Sequence, residues 1–403
     1  MRICARLGAV VAASAVLVAC GGTADEGDGT AAPTSATTSA PAAIVSPDQL
    51  DAGNLPTTPR PPLGTAGNPA TGVVADAQHM ADFVIGPWDV DEAAVTPYLA
   101  SSFLLTSPQA LEQLGPTSIA AAAGTHGMVN GFASARQATD RMVLVNAVLR
   151  FPDAAAASAA GVDMNAAAAQ QQIQGTTPAP TQVPGHSDTV ASAYPFTPHQ
   201  APKAWGAIRA FTPRGPYVLM QVAQSVDGPA AAANLVAKTI DLQGPLIDRF
   251  TPTPADAMAD VPMDPTGLLA RTLPAGAGTP ATKNTVYSAR GALHFQSNPV
   301  GSADLFKDNG VDAIAMAGTN VYQAKDEAAA QWVADSFGVE VDTEGVTPAD
   351  PVPGLPASRC LTFPSGFYCV TSAGRYAIEV QAPQLVEAHQ QVAAQYVMLT
   401  AHG

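Results

Sequence analysis

Short runs in which every second residue is apolar alternate along this chain with Ala-rich stretches of helical spacing. Four copies of the order strand, tight turn, helix stand out. In the first, Val143, Val145, Ala147, Leu149 and Phe151 share one face of Met142–Phe151, and Pro152-Asp153 turns the chain into a polyalanine helix. The second runs from Tyr217 to Val226, turns at Asp227-Gly228-Pro229 and continues as a helix carrying Leu235, Val236 and Ile240. The third takes Ala313–Gln323 as one strand, Asp326 as an N-cap and a helix with Trp332, Val333 and Phe337. In the fourth, Tyr376, Ile378 and Val380 line a strand face. After Pro383 a helix then places Leu385, Ala388, Val392, Tyr396 and Leu399 on one stripe.

Other strand-like runs precede these units: Gly127–Ala133, Trp205–Phe211 and Val286–Gln296. Their joining turns are too short for helical crossovers, which predicts antiparallel hairpins. The fold class is therefore α+β, in two related domains, each an antiparallel sheet with Ala-rich helices packed on one face. The Pro-rich stretch Thr251–Pro265 is the best boundary, giving domains at 66–260 and 266–403, with Pro274–Thr282 as an opening loop of the second. A single sheet fed by all four units is the alternative. Trp88, Trp205 and Trp332, with the phenylalanines, are expected in small cores, the functional alternative being the lining of an apolar cavity.

The first residues break this pattern. Arg2 and Arg6 precede an apolar run that ends in Leu17-Val18-Ala19-Cys20, the form of a lipoprotein signal at 1–19, with Cys20 as the lipidated first mature residue. The run is too short to span a bilayer stably. From 20 to 65 the chain is rich in Thr, Pro, Ala and Gly with few large apolar residues, which predicts a disordered tether. Forty residues of flexible coil would hold the body about 35 Å from the membrane.

Charge narrows the partners. With 18 Lys+Arg against 33 Asp+Glu the chain carries a net −15, more negative still once Arg2 and Arg6 leave with the signal. Nucleic acid is not an expected partner, since binding it needs clustered positive charge. Anionic headgroups would repel the body as well, so membrane attachment falls to the acyl anchor. Of the four cysteines, Cys4 leaves with the signal and Cys20 is lipidated. Cys360 and Cys369 remain as an even pair outside the reducing cytoplasm. Arg359–Val370 reads as strand, turn at Pro364-Ser365-Gly366, and strand, which sets these two cysteines opposite each other as a disulfide.

Candidate chemistry is sparse. The seven histidines, at 79, 126, 186, 199, 294, 389 and 402, show no zinc-binding spacing, and no metal or cofactor is expected. His126, beside glycines in Gly124-Thr-His-Gly127, and His294, in Leu293-His-Phe295, are the candidate site residues. Asp89, Asp91 and Glu92 lack the further ligands of a calcium loop and fit a helix start. There is no Gly-x-Ser-x-Gly elbow, and Gly276-Ala277-Gly278 lacks the remainder of a phosphate-binding loop.

Taken together, the lipobox, the tether, the paired β-α units and the Cys360/Cys369 hairpin resemble an uncharacterised family of mycobacterial and nocardial envelope lipoproteins with a two-part domain of unknown function. Gly127–Phe132 and Ala292–Gln296 carry the resemblance within the body. It implies location and architecture and brings no catalytic residues. The resulting expectation is a lipid-anchored protein on the extracytoplasmic face of the cell membrane, acting as a non-enzymatic module that binds an apolar or lipid-like ligand or an envelope protein. An envelope hydrolase or transferase with a loop-assembled site, and a structural spacer, are the alternatives.

Overall fold

Two seven-stranded antiparallel sheets organise the chain, and both are threaded in the same order. The computed structural model describes residues 46–199, 201–342 and 345–400, so the signal, Cys20 and most of the expected tether lie outside the described residues. The first sheet holds β1 (Thr96–Leu104), β2 (Asn130–Ala138), β3 (Met142–Arg150), β4 (Ala179–Val183), β5 (His186–Phe196), β6 (Trp205–Arg214) and β7 (Tyr217–Ser225). The second holds β8 (Thr285–Ser288), β9 (Ala313–Met316), β10 (Asn320–Gln323), β11 (Thr347–Ala349), β12 (Arg359–Phe363), β13 (Gly366–Ala373) and β14 (Tyr376–Ala382). Their spatial orders are β1-β2-β3-β7-β6-β5-β4 and β11-β12-β13-β14-β10-β9-β8. In each, the third strand therefore pairs antiparallel with the seventh.

The helices are α1 (Pro69–Met80), α2 (Pro87–Val90), α3 (Thr117–Thr125), α4 (Ala154–Ala169), α5 (Pro229–Ile247), α6 (Ala289–Ala292), α7 (Pro299–Asn309), α8 (Glu327–Glu340) and α9 (Leu385–Thr400). α4 and α8 follow the third strand of their sheets, and α5 and α9 the seventh. This is the α+β arrangement of two similarly organised domains that the four β-α units predict. The caps are local and chemical: Asp153 accepts from the Ala156 amide at 2.8 Å to start α4, and Asp326 does the same for Ala329 in α8.

Helices cover both faces of each sheet, where the sequence pattern assigns one. On one face of the first sheet, α3 and α4 pack over Val145, Ala147, Leu149, Phe211 and Met220. On the other, α5 packs over Leu144, Val148, Ile208 and Leu219. In the second domain α8 covers Leu361, Tyr368 and Val370, while α9 covers Cys369, Ile378 and Val380. The reason is visible in β3, where Met142, Leu144 and Val148 are as apolar as the intervening residues and every position is buried. A central strand sandwiched on both sides reads as a continuous apolar run. One core joins the domains, bringing Phe132 and Leu144 together with Tyr287, Phe306 and Tyr322.

Three local expectations change. Ala313–Gln323 is a hairpin and not one strand: Ala317 donates to the Thr319 carbonyl at 2.9 Å, closing a turn at Gly318, where a Cβ would stand 2.6 Å from the Pro274 carbonyl. Val286–Gln296 is strand only as far as Ser288, whose hydroxyl accepts from the amides of Arg290 and Gly291 and starts α6, followed by a 3-10 turn at Leu293–Phe295. Trp332 is 63% exposed on α8, while Val333 and Phe337 face the core.

The expected tether is also shorter than 65. Residues 46–65 lie on the body: Leu50 is buried, the Arg60 amide donates to Ala270 at 2.9 Å, and Thr65 bridges Pro262. These residues contribute two apolar anchors, Leu50 and Leu63, to the core beneath α9. Arg60 is paired by Ala270, and Gly64 and Thr65 by Met263 and Pro262 of the Pro-rich boundary, long-range contacts that composition alone does not register.

Candidate functional site

Between the two sheets opens a cleft of about 760 Å³, bordered by β1 on one side and by β10 and β14 on the other. The β1 rim is irregular. Its register against β2 shifts between Pro97 and Ser102, and Leu99 and Ser101 hold φ of 52° and 65°. Non-glycine residues in this region carry a conformational cost, and such bulges re-aim side chains at sites. Here the bulge sets Ala100, Ser101 and Ser102 along the cleft wall.

The facing wall carries a hydrogen-bonded carboxylate. Glu379 on β14 accepts at Oε2 from the Asn320 side-chain amide and the Tyr322 hydroxyl, both at 2.8 Å. Gln296 donates to the Tyr322 oxygen at 3.4 Å. Burial, with Glu379 next to it, drives the Tyr322 phenol well above its ordinary pKa, so the hydroxyl keeps its proton and donates. Lys283, Phe295, Met316 and Phe363 complete a wall of mixed character. The cleft can therefore accept hydrogen bonds from a ligand through Glu379 and pack against its apolar parts.

The floor is a strut between domains. Arg136 on β2, 2% exposed, donates to the carbonyls of Val95, His294 and Gln296. Its guanidinium lies 5.7 Å from the Trp88 ring centre. No carboxylate pairs with it among the described residues, and burial lowers its pKa.

His294 sits in this strut, in the 3-10 turn that follows α6. Its Nε2–H donates to the carbonyls of Ala81 and Val84, each at 3.1 Å, and its Nδ1 faces the Ser134 hydroxyl at 3.0 Å. The ring is 1% exposed and packs on Trp88 and Phe132. Burial, helped by the charges of Arg290 and Arg136 and opposed by the two carbonyl bonds, lowers its pKa to about 3. Such an imidazole is a weak base, and Ser134 is itself fully buried. His126 is elsewhere. It ends α3 and pairs with exposed Asp163 of α4 at 2.7 Å, a helix-to-helix contact on the surface. The structure thus does not bring the two candidate histidines together.

Cys360 and Cys369 are joined, directly opposite each other across β12 and β13 with Cα atoms 4.2 Å apart. The His389 ring comes within 4.8 Å of both sulfurs, which are committed to each other in the disulfide. Its Nε2 is 2.9 Å from the Asp350 carbonyl. Of the acids at 89–92, Asp89 serves a helix start by accepting from the Gly86 amide, whereas Asp91 is the C-cap of the short α2 and holds Arg141, and Glu92 lies in the turn beyond it. Glu379, Asn320 and Tyr322 were not legible as site residues, because only the pairing of β10 with β14 brings them together.

Family models of a domain of unknown function, DUF7373, match residues 63–263 with the N-terminal part and 268–402 with the C-terminal part. The chain belongs to the DUF7373 family. The two parts of DUF7373 correspond here to the two sheets. No curated protein matches the chain. Among solved structures, the extracellular domain of PknH from Mycobacterium tuberculosis aligns with 13% identity and a TM-score of 0.28, over 40% of this chain and 92% of that one. A likeness this slight carries neither fold nor function across. Among the described residues of this DUF7373 protein, no helix is long and apolar enough to cross a membrane.

Proposed function

We propose that this protein is a lipid-anchored envelope lipoprotein, tethered through Cys20 on the extracytoplasmic face, that binds a ligand without chemically changing it. The cleft is its binding site. The observation that carries this reading is Glu379, whose Oε2 is held by Asn320 and Tyr322 and whose carboxylate lines the cleft beside the buried Tyr368 hydroxyl. A carboxylate fixed in this way fits a ligand that presents hydrogen-bond donors, such as an ammonium group or a set of hydroxyls. The mixed walls favour such a ligand over a purely apolar lipid.

The disulfide supports an oxidising compartment. A hydrolase reading draws on the His126–Asp163 pair, but that pair is a surface contact between α3 and α4. Native mass spectrometry of the full chain purified from its own membranes tests the proposal. A non-covalent adduct on the wild-type protein that is lost in Glu379→Gln is expected. An adduct unaffected by that change, or absent from both proteins, refutes binding in this cleft.

A further inference from the structure

A second site lies on the opposite side of the first sheet and does not depend on the cleft. Arg209 projects from β6 toward the layer of α3 and α4, between Ser192 of β5 and Val222 of β7. It is 8% exposed, and its Nε is wholly buried without a partner. No ion pair or hydrogen bond to its guanidinium occurs among the described residues. Burial lowers its pKa, and the neighbouring Tyr194 phenol, whose own pKa burial raises, keeps its proton and supplies no negative charge. The other buried arginines are provided for: Arg136 has three carbonyls, and Arg150 has Asp76 at 2.8 Å.

A burial of this kind is costly unless something anionic completes it. The surroundings suit an anion. The guanidinium reaches the start of α3, where a Cβ built on Gly115 would stand 3.5 Å from Nη2 and 3.6 Å from Cζ. Pro116, the N-cap of α3, offers no side-chain cap, so the first amides of the helix are not taken up by a capping side chain. Tyr194, buried on β5, adjoins the site.

We infer that Arg209 and the N-terminus of α3 form a binding site for a small oxyanion, the carboxylate or phosphate group of a low-molecular-weight ligand. A guanidinium suits either group because its paired N–H donors match two oxygens. The helix end adds amide donors and a favourable dipole.

The test uses the full chain, titrated with inorganic phosphate and separately with acetate against chloride at matched ionic strength. NMR follows the side-chain Nε–H of Arg209, identified by its disappearance in Arg209→Lys. A saturable shift with either anion is expected, phosphate alone marking a tetrahedral group and acetate alone a carboxylate. Arg209→Gln should weaken that binding by about ten-fold or more, and Glu379→Gln should leave it unchanged. If the Gln variant does not fold, the wild-type titration still decides. An Nε–H resonance that neither anion moves overturns the inference.

Discussion

Arg136 donates through Nη2 to the backbone carbonyl of His294 at 3.1 Å, while the His294 ring donates back to Ala81 and Val84 of the first domain. Each residue thus satisfies polar groups across the domain junction, and neither is free for chemistry. Arg136→Met removes the donor to three carbonyls at once. Leaving these partly unpaired should cost about 3 kcal/mol. Urea unfolding followed by tryptophan fluorescence checks this, since Trp88 stacks on the same guanidinium.

His294 also sets a pH dependence. Its pKa falls to about 3 in the fold from an ordinary value near 6.5. Between these values the unfolded chain takes up a proton that the folded chain refuses. Stability from this group is therefore complete above pH about 6.5 and declines as pH falls, by up to about 1.4 kcal/mol per unit. His79, also shifted down by burial, adds in the same direction. Unfolding free energies measured from about pH 6 to pH 5, above most carboxylate titration, should fall less steeply in His294→Gln than in the wild type. Equal slopes would falsify the neutral, buried imidazole.

The Cys360–Cys369 bridge closes a short hairpin, with a sequence separation of 9. The chain-entropy account assigns such a loop about 2 to 3 kcal/mol. A Cys360→Ser, Cys369→Ser double variant should lose this amount in denaturant titrations, and reducing agent should bring the wild type down to the same midpoint. The double variant should not respond to reductant at all.

The proposed anchoring through Cys20 predicts a separate outcome. Cys20→Ala should move the protein from the membrane to the soluble fraction and abolish incorporation of labelled palmitate. The folded body should be unaffected, so thermal unfolding of the variant should match the wild type. Persistence in the membrane fraction would mean that another surface holds it there.

Much of the fold was readable because its signals are local. Asp153 and Asp326 announce helices by capping chemistry, and the two-residue turn at Pro364-Ser365 fixes the register that pairs the cysteines. The errors arose where distant parts of the chain decide. Ser288, whose hydroxyl donates to Asp82 of the first domain, caps α6 in a run whose alternation reads as strand, and Trp332 is exposed because α8 turns Val333 and Phe337 inward instead. The cleft was beyond reach for the same reason. Asn320 and Glu379 are neighbours only through strand pairing, and the β1 bulge has no glycine to signal its positive φ.

Gly72 shows how strictly such distant contacts are set. It lies on α1, where a Cβ would stand 1.8 Å from the backbone carbonyl of Met258. An alanine in a helix is ordinarily favoured over glycine by about 0.5 to 1 kcal/mol. Here the neighbour is backbone and cannot swing away, so the clash must displace α1 or the Met258 turn. Gly72→Ala should therefore destabilise the protein by about 2 to 4 kcal/mol, the scale of severe overpacking. Gly276 has open space around it and an ordinary φ, so Gly276→Ala should stay within about 0.5 kcal/mol of wild type. Chemical denaturation of the two variants side by side separates a steric cause from any general intolerance of alanine. A neutral Gly72→Ala would show that α1 stands farther from Met258 than the structure places it.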